Sequence, residues 1–222
     1  MLNQLQSLWR TWRRGREHAA EIRRLKFASY DDYVAAQLKT NAAKRDRVWV
    51  RGDELQQLAK LIAELTPGPR FGLCHGVRNG AEVRTLRELL HCEIWGTEIS
   101  PSAAEFPFVI QWDFHKLKPE WLGRADFIYS NSLDHSYDPT ACLAGWLSCL
   151  SSRGRCYVHW SQEHDHTDFG KNGSDCFQAT RNGYVQLIES VGRLEEVIET
   201  DPDGQRCLFV CRSKAATVSA AA

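Results

Sequence analysis

The feature that most constrains this chain is a strand–turn–helix–strand unit over residues 70–98. An apolar run at 70–75 enters a turn with glycines at 76 and 80, a helical pattern follows, and a second apolar run ends on Glu98. Where such a unit binds a nucleoside, the glycines let the backbone approach the ligand and the acid accepts hydrogen bonds from ribose hydroxyls. The 18-residue spacing from Gly80 to Glu98 is close to the ~20 of that pattern. The unit therefore predicts a nucleoside-containing cofactor.

Apolar runs and helical patterns continue to alternate after this unit, which predicts a parallel sheet with helices on both faces. The sequence ends its regular pattern in two apolar runs that face each other across Asp-Pro-Asp-Gly, a strong turn signal that predicts an antiparallel hairpin. The predicted strands are 70–75, 93–98, 108–112, 125–130, 155–160, 193–200 and 205–212, and the predicted helices are 80–91, 101–105, 138–150 and 180–191.

A Pro-Gly-Pro stretch at 67–69 divides the chain. We expect an N-terminal basic helical segment over 1–66, the main domain over 67–212 and a disordered small-residue tail over 213–222. The helices predicted in the N-terminal segment are 2–26, 30–45 and 52–65.

Charge is unevenly distributed along a chain whose formal net charge is zero. Residues 1–51 hold 12 Lys and Arg against 5 Asp and Glu, so the rest of the chain is acidic. An apolar stripe with arginines between its members runs through 2–26. Three interpretations of this helix remain open: packing on the domain or on a second copy in a homodimer, peripheral contact with a membrane, or contact with nucleic acid.

Composition indicates a soluble globular protein, with 43% hydrophobic and 25% charged residues. The eight cysteines form no Cys-x-x-Cys pair, and several lie in apolar runs, which is typical of core thiols in a reducing compartment. No apolar stretch approaches the ~20 residues that span a bilayer, and the N-terminus lacks the apolar segment of a secretory signal. We therefore expect a cytoplasmic protein without a transmembrane segment.

Residues 125–139 carry a resemblance to a known family. Their sequence, Ala-Asp-Phe-Ile-Tyr-Ser-Asn-Ser-Leu-Asp-His-Ser-Tyr-Asp-Pro, resembles the fourth-strand motif of class I S-adenosylmethionine-dependent methyltransferases. The following helix, the turn at 151–154 and the terminal hairpin are similar to the family as well, so the resemblance covers roughly 66–212. It implies an α/β, Rossmann-like doubly wound fold with a mostly parallel seven-stranded sheet in the order 3-2-1-4-5-7-6.

The resemblance also implies a cofactor site for S-adenosylmethionine, with S-adenosylhomocysteine as product. Gly76 and Gly80 would form the loop around the methionine part, and Glu98 would accept from the ribose. Asp113 would receive the adenine amino group beside the Phe114 backbone. The full set of cofactor-binding residues expected from the resemblance is Cys74, His75, Gly76, Arg78, Gly80, Glu98, Ile99, Asp113, Phe114, Asn131 and Ser132, the last two near the sulfonium.

Two positions in the glycine loop depart from the family. Cys74 stands where an acid is usual at the end of the first strand, and Arg78 replaces the middle glycine. The arginine would either crowd the cofactor or pair outward with Glu82 or Asp113.

The reaction implied is O-methylation of a small hydroxylated acceptor, such as a sugar of a glycan. A hydroxyl nucleophile needs a base, and neutral histidine is available near pH 7. We expect His135, with Asp134 beside it, to be catalytic; the alternative is that His135 orders the turn and packs against the cofactor. Further candidate bases are His115 and the histidines of the loop 159–176.

Two other functions remain open: a non-catalytic nucleoside-binding protein of methyltransferase fold, and a nicotinamide-dependent reductase. The reductase needs a Gly-x-Gly-x-x-Gly string, which the sequence lacks. A nucleic-acid partner is disfavoured because the body of the chain is acidic.

A metal site is the least favoured interpretation of the polar loop after residue 159. His164 and His166 are two residues apart and would share a strand face with Asp168, as metal ligands can. Contact with substrate and a simply solvated loop are the alternatives, and we expect no metal. Asp126, inside the fourth strand, is predicted to be structural.

Overall fold

The structure, a computed structural model, describes residues 22–164 and 176–214 of the chain. Its helices are α1 (Tyr30–Ala43), α2 (Gly52–Leu65), α3 (Ala81–Leu90), α4 (Pro139–Cys149) and α5 (Arg181–Val191). Its strands are β1 (Ile22–Arg24), β2 (Phe71–His75), β3 (Glu93–Glu98), β4 (Val109–Gln111), β5 (Ala125–Ser130), β6 (Leu150–Ser161), β7 (Phe177–Ala179), β8 (Gly192–Glu199) and β9 (Arg206–Ser213).

Seven strands form one large sheet in the order β4-β3-β2-β5-β6-β9-β8. Strands β2 to β6 run parallel, and β9 pairs antiparallel with β6 and β8. Along the chain this is the order 3-2-1-4-5-7-6, so the predicted Rossmann-like sheet with its terminal hairpin is confirmed. The order reverses between β2 and β5, and in open α/β sheets ligands bind beyond the carboxyl ends of the strands at such a point.

Apolar side chains cover both faces of this sheet. On one face α4 and α5 contribute a cluster with Trp146 and Leu187, and on the other α2 and α3 contribute a cluster with Leu58 and Ile62. All eight cysteines are free thiols. In the described part of the chain, no helix combines the length and apolarity needed to cross a bilayer.

The first described residues differ from the prediction. Ile22–Arg24 lies within the predicted helix 2–26 but forms β1, which pairs antiparallel with β7, Ile22 opposite Ala179. The helix prediction is wrong for these three residues, because their conformation depends on a partner strand far along the chain. Leu25 and Lys26 are not helical either. Residues 2–21 of that prediction and most of the predicted tail lie outside the described residues.

Two further elements have different bounds or types from those predicted. Pro101–Glu105 is a 3-10 helix. Strand β6 begins at Leu150 rather than 155, with a shift in its register against β5. Gly154 allows this close approach, since a Cβ there would lie 2.4 Å from the Ala125 carbonyl oxygen.

Asp126 has the structural contacts expected of it. Its Oδ2 accepts from the Arg70 backbone N–H at 2.8 Å. Its Oδ1 accepts from Ser151 Oγ and from Arg153 Nε, each at 3.3 Å. The carboxylate thereby joins the residue before β2 and the first residues of β6 to its own strand, β5.

Candidate active site

The loop between β2 and α3 is held against the end of β5. Gly76 has φ of +74°, and its N–H and that of Val77 donate to the Thr97 carbonyl at 2.9 and 3.1 Å. A Cβ on Gly76 would lie 2.5 Å from the Cβ of Ser132. Glycine is therefore required here both for the left-handed backbone and for the close approach.

Glu98, at the end of β3, fixes the same loop from the other side. Its Oε2 accepts from the Arg78 backbone N–H at 2.9 Å, and its Oε1 accepts from the Ser100 backbone N–H at 2.9 Å. Burial raises the pKa of Glu98, while these two bonds favour its ionised form. Each carboxylate oxygen keeps a second lone pair, which is what a ribose hydroxyl requires.

Asp113 follows β4 and already accepts several hydrogen bonds. Tyr30, at the start of α1, donates its hydroxyl to Oδ2 at 2.5 Å. Oδ1 lies 2.9 Å from His115 Nδ1. Burial opposes ionisation of this carboxyl, but the bonds from His115 and Tyr30 outweigh it and lower the pKa of Asp113 to about 2. An adenine amino group would therefore share or displace these donors.

Two cavities open at this edge of the sheet. The smaller, of about 50 Å³, lies under α1 beside Glu98, and the larger, of about 270 Å³, lies beyond the glycine loop. Four residues line both: Gly76, Arg78, Ser132 and His135. The smaller cavity is also lined by Tyr33, Gln37, Thr40, Asn41, Glu98, Ile99, Asp113 and Phe114. The larger is also lined by Lys44, Arg47, Trp49, Val77, Asn79, Glu82, Asn131, Asp134, His159, Trp160, Ser161, Glu163, Tyr184 and Arg206.

His135 lies where the two cavities meet, and Asp134 beside it lines the larger one. His135 Nε2 is 3.6 Å from Asp134 Oδ2; the Asp134 side chain is 4% exposed and that of His135 is 20% exposed. The 3-10 turn Leu133–His135 that carries both follows β5, so the strand places the pair at the carboxyl edge of the sheet. The geometry matches the predicted pairing of the two residues.

His115 does not serve as a free base. Its Nδ1 contacts Asp113, and its Nε2 accepts from the Tyr137 backbone N–H at 3.0 Å and lies 2.9 Å from Ser136 Oγ. Both ring nitrogens are used, so the imidazole joins the loop after β4 to the loop after β5. The candidacy of His115 as a base is therefore not supported.

His159 is similarly occupied, although its ring lines the larger cavity. Its Nε2 lies 3.3 Å from Glu54 Oε1 and its Nδ1 lies 3.4 Å from the Tyr129 hydroxyl. Burial raises the pKa of Glu54, but the bonds from His159 and Arg51 outweigh it and lower that pKa to about 2. This pair connects α2 to the sheet.

Three residues of the expected cofactor set line neither cavity in the described residues: Cys74, His75 and Gly80. The His75 ring stacks on Trp146 with centroids 4.8 Å apart, and burial lowers its pKa to about 3, so it is a neutral core residue. Cys74 is fully buried, and Gly80 begins α3 with φ of +69°. These three residues lie at the two ends of the loop and line neither cavity.

Arg78 has a different partner from those expected. Within the described residues it forms no ion pair with Glu82 or Asp113. Its Nη1 donates instead to the Arg47 carbonyl at 3.3 Å, and its φ of +46° is of the left-handed kind that suits the glycine usual at this position. The outward ion pair, one of the two alternatives for Arg78, is therefore not formed within the described residues.

Sequence reasoning missed several residues of the larger cavity. Glu82 is one, and its only sequence signal is an acid two residues after the last glycine of the loop. Lys44, Arg47 and Trp49 come from the connection between α1 and α2, which carries no motif. Their placement depends on how α1 and α2 pack on the sheet.

No group of three or more His, Cys, Asp or Glu side chains suited to a metal ion occurs within residues 22–164 and 176–214. His166 and Asp168, which the metal interpretation needs, lie outside those residues.

Comparison with known proteins supports the fold. No protein-family model matches the chain, and a search of curated proteins finds no relative. Among solved structures, 1,6-didemethyltoxoflavin-N1-methyltransferase of Burkholderia thailandensis, with bound S-adenosylhomocysteine, is similar with a TM-score of 0.67 at 13% identity, over 87% of this chain and 95% of that one.

Two further structures are similar. The CcbJ methyltransferase of Streptomyces caelestis has a TM-score of 0.61 at 15% identity, over 81% of this chain and 99% of that one. A TehB-like SAM-dependent methyltransferase of Corynebacterium glutamicum has a TM-score of 0.54 at 18% identity, over 81% of this chain and 96% of that one. The chain thus has the fold of class I S-adenosylmethionine-dependent methyltransferases.

Proposed function

We propose that the protein is an S-adenosylmethionine-dependent O-methyltransferase that acts on a small hydroxylated acceptor such as a sugar of a glycan. The observation that carries this proposal is the meeting of two cavities at Gly76, Ser132 and His135. One cavity has the donors and acceptors a nucleoside needs, and the other is large enough for part of a small acceptor. Methyl transfer requires the acceptor, the methyl carbon and the sulfur in line, and a junction of two cavities provides that arrangement.

The residues of the smaller cavity fit the nucleoside of the cofactor. Glu98 is a buried carboxylate with lone pairs remaining for the ribose, and Asp113 offers an acceptor for the adenine amino group. The close approach of Gly76 to Ser132 makes a cradle that a Cβ would fill. The cofactor, when bound, supplies a methyl group on a sulfonium, and Asn131 and Ser132 would line the site near that group.

The residues of the larger cavity fit a polar acceptor with apolar faces. Trp49, Trp160 and Tyr184 line it together with amide, carboxylate and basic side chains, and 43% of Trp49 is exposed. Aromatic rings beside hydrogen-bonding groups are a suitable surface for a sugar. His135 takes the hydroxyl proton, and the neighbouring Asp134 stabilises the imidazolium that results.

The reaction belongs to the cytoplasm in this proposal. Cys156 and Cys211 lie opposite each other on β6 and β9, and both are free thiols. This supports the proposal because the cytosol keeps thiols reduced.

Calorimetry with S-adenosylhomocysteine, followed by mass spectrometry of hydroxylated sugars incubated with isotopically labelled S-adenosylmethionine, tests the proposal. We expect a micromolar or tighter complex and a labelled methyl ether on one class of acceptor. A folded protein that gives no heat signal would overturn the proposal. Binding without transfer to any acceptor would favour the non-catalytic nucleoside-binding protein, and binding of a nicotinamide dinucleotide instead would favour the reductase.

A further inference from the structure

Glu82 is a buried acid in the wall of the larger cavity. It lies in the first turn of α3 and is 6% exposed. Its Oε1 is 3.5 Å from Asn131 Nδ2, and its Oε2 has no hydrogen-bond partner in the described residues. No Lys, Arg or His nitrogen of the described chain lies within ion-pair distance of it. A carboxylate in this setting is destabilised unless a cation reaches it.

Arg78 presents the opposite charge in the same cavity. Its Nη1 donates to the Arg47 carbonyl, and its Nε is buried without a hydrogen-bond partner in the described residues. Burial lowers the pKa of Arg78, and the charges of Glu98 and Glu82 oppose that shift. Arg78 and Glu82 thus each carry one buried polar atom that the rest of the described protein leaves unsatisfied.

We propose that Arg78 and Glu82 together bind the amino-acid end of the cofactor, Arg78 taking its α-carboxylate and Glu82 its α-ammonium. This inference rests on the proposed function. The two side chains lie four residues apart across the end of the glycine loop, and both face the cavity next to the junction with the nucleoside side. A zwitterion brings one anion and one cation into this space, so each unsatisfied atom receives a charged partner.

The proposal accounts for both unusual positions of the loop. Cys74, which is fully buried at the end of β2, lacks the charge that an acid would have there. Burial is the main cause that raises the pKa of Cys74 and of Tyr129, and the charge of Glu82 raises both further, so it acts in the same region from α3. Arg78 is then a ligand-binding residue and not an obstruction.

Calorimetry with three ligands tests each contact separately: S-adenosylhomocysteine, its analogue without the α-amino group, and its analogue without the α-carboxylate. Glu82→Gln keeps the shape and the contact with Asn131, and Glu82→Asp is the control that keeps the charge. Arg78→Gly suits the left-handed backbone, and Arg78→Lys is the control that keeps the charge.

We expect each variant to weaken only the ligands that carry the group its residue binds. Glu82→Gln weakens binding of S-adenosylhomocysteine and the decarboxylated analogue about tenfold to a hundredfold and leaves the deaminated analogue unchanged. Arg78→Gly weakens S-adenosylhomocysteine and the deaminated analogue to a similar extent and leaves the decarboxylated one unchanged. Equal losses for all three ligands, or tighter binding by Arg78→Gly, would overturn the inference. If the wild-type protein binds none of them, the proposed function itself fails.

A second measurement uses the unmodified protein. Burial raises the pKa of Glu82 to about 7, and an ammonium beside it would lower that pKa again. Binding of S-adenosylhomocysteine near pH 7 should then release up to about half a proton, measured by calorimetry in buffers of different ionisation enthalpy. The deaminated analogue should release none, and equal release by both ligands would contradict the role of Glu82.

Discussion

Histidine side chains near the site differ in which ring nitrogens the protein already uses. His115 and His159 have both nitrogens in contact with other residues, and His75 is a neutral core side chain. Among these and His135, only His135 lies at the junction of the two cavities. Position therefore separates the candidate base from the histidines that hold loops and helices together.

The first prediction concerns His135. His135→Asn should lower kcat by about a hundredfold or more, because the acceptor hydroxyl loses its base. Affinity for S-adenosylhomocysteine should stay within about threefold, measured by calorimetry beside single-turnover methyl transfer. An equal loss of binding and turnover would instead assign His135 to cofactor packing.

The second prediction concerns stability and the charge of Glu82. Burial raises its pKa from 4.5 to about 7, so the folded protein holds this proton more tightly than the unfolded chain. Stability is therefore lost as pH rises from 4.5 to 7. Arg78 and Arg84 moderate the effect, and Cys74, Tyr129 and Asn131 are the other polar groups close to it.

Glu82→Gln removes this titration. The free energy of unfolding of the variant should exceed that of the wild type by up to about 3 kcal/mol at pH 8 and by little at pH 4.5. Denaturant melts at several pH values measure the difference. A constant difference across this range would mean that the carboxyl does not titrate as described.

Residue positions at the strand ends were predictable, and side-chain orientation was not. Glu98 and Asp113 follow apolar strands, and this places them at one edge of the sheet whatever their neighbours are. The roles of His75 and His115 depend on Trp146, Thr97 and Ser136, which are distant in sequence. A one-dimensional pattern does not contain those contacts.

At the scale of elements, the sheet depends on a few polar ties between neighbouring strands. The buried Asp126 of β5 is one such contact, since its carboxylate accepts from Arg70 just before β2 and from Arg153 of β6. Burial opposes its ionisation, but bonds from the Arg70 backbone and the Arg153 side chain outweigh it, so the pKa of Asp126 is lowered.

Asp126→Asn should therefore destabilise the protein by about 1–3 kcal/mol at pH 7. The sign of the shift means that the wild-type advantage is present above the unfolded pKa of about 3.9 and disappears as pH falls through the folded value. Unfolding at pH 7 and near pH 3 checks this. An undiminished difference at the lower pH would point to lost packing instead of lost charge.

Helix α1 covers the smaller cavity, which the proposed function assigns to the nucleoside. Its volume of about 50 Å³ compares with roughly 300 Å³ or more for typical ligand pockets. On the proposed function, the contact between Tyr30 and Asp113 would therefore have to shift to admit the adenine. Tyr30→Phe removes that contact and should strengthen binding of S-adenosylhomocysteine about threefold to tenfold.

Tyr137→Phe is a matched control, since its ring lies beside Tyr30 and its hydroxyl makes no hydrogen bond in the described residues. Calorimetry on both variants separates the lost bond from a general effect of removing a hydroxyl. Weaker binding by Tyr30→Phe would show that Tyr30 supports the adenine site.

At the scale of the whole molecule, the sheet order was accessible from the sequence because alternating strands and helices leave few arrangements of a parallel sheet. The pairing of β1 with β7 was not accessible. Both strands are three residues long, and neither has an alternating pattern long enough to predict a strand. Short strands that pair across the chain are recognised only after the larger sheet brings them together.

Removal of residues 1–21 tests the role of the basic N-terminal segment while leaving β1 in place. If this segment joins two copies of the chain, the truncated protein should sediment as a monomer and the full chain as a dimer. The melting temperature should fall by no more than a few degrees, since the described core is intact. Identical sedimentation of both proteins would count against the dimer.

The double hydrogen bond that Glu98 accepts from Arg78 and Ser100 has a thermodynamic consequence. The loop that would receive the methionine end on the proposed function is ordered by the protein itself, so its loss of conformational entropy occurs when the chain folds. Cofactor association would then show a modest entropic penalty from this loop, and the ordering that remains would come from α1. The loop held by Glu98 and helix α1 would then contribute unequally to the heat capacity change of binding.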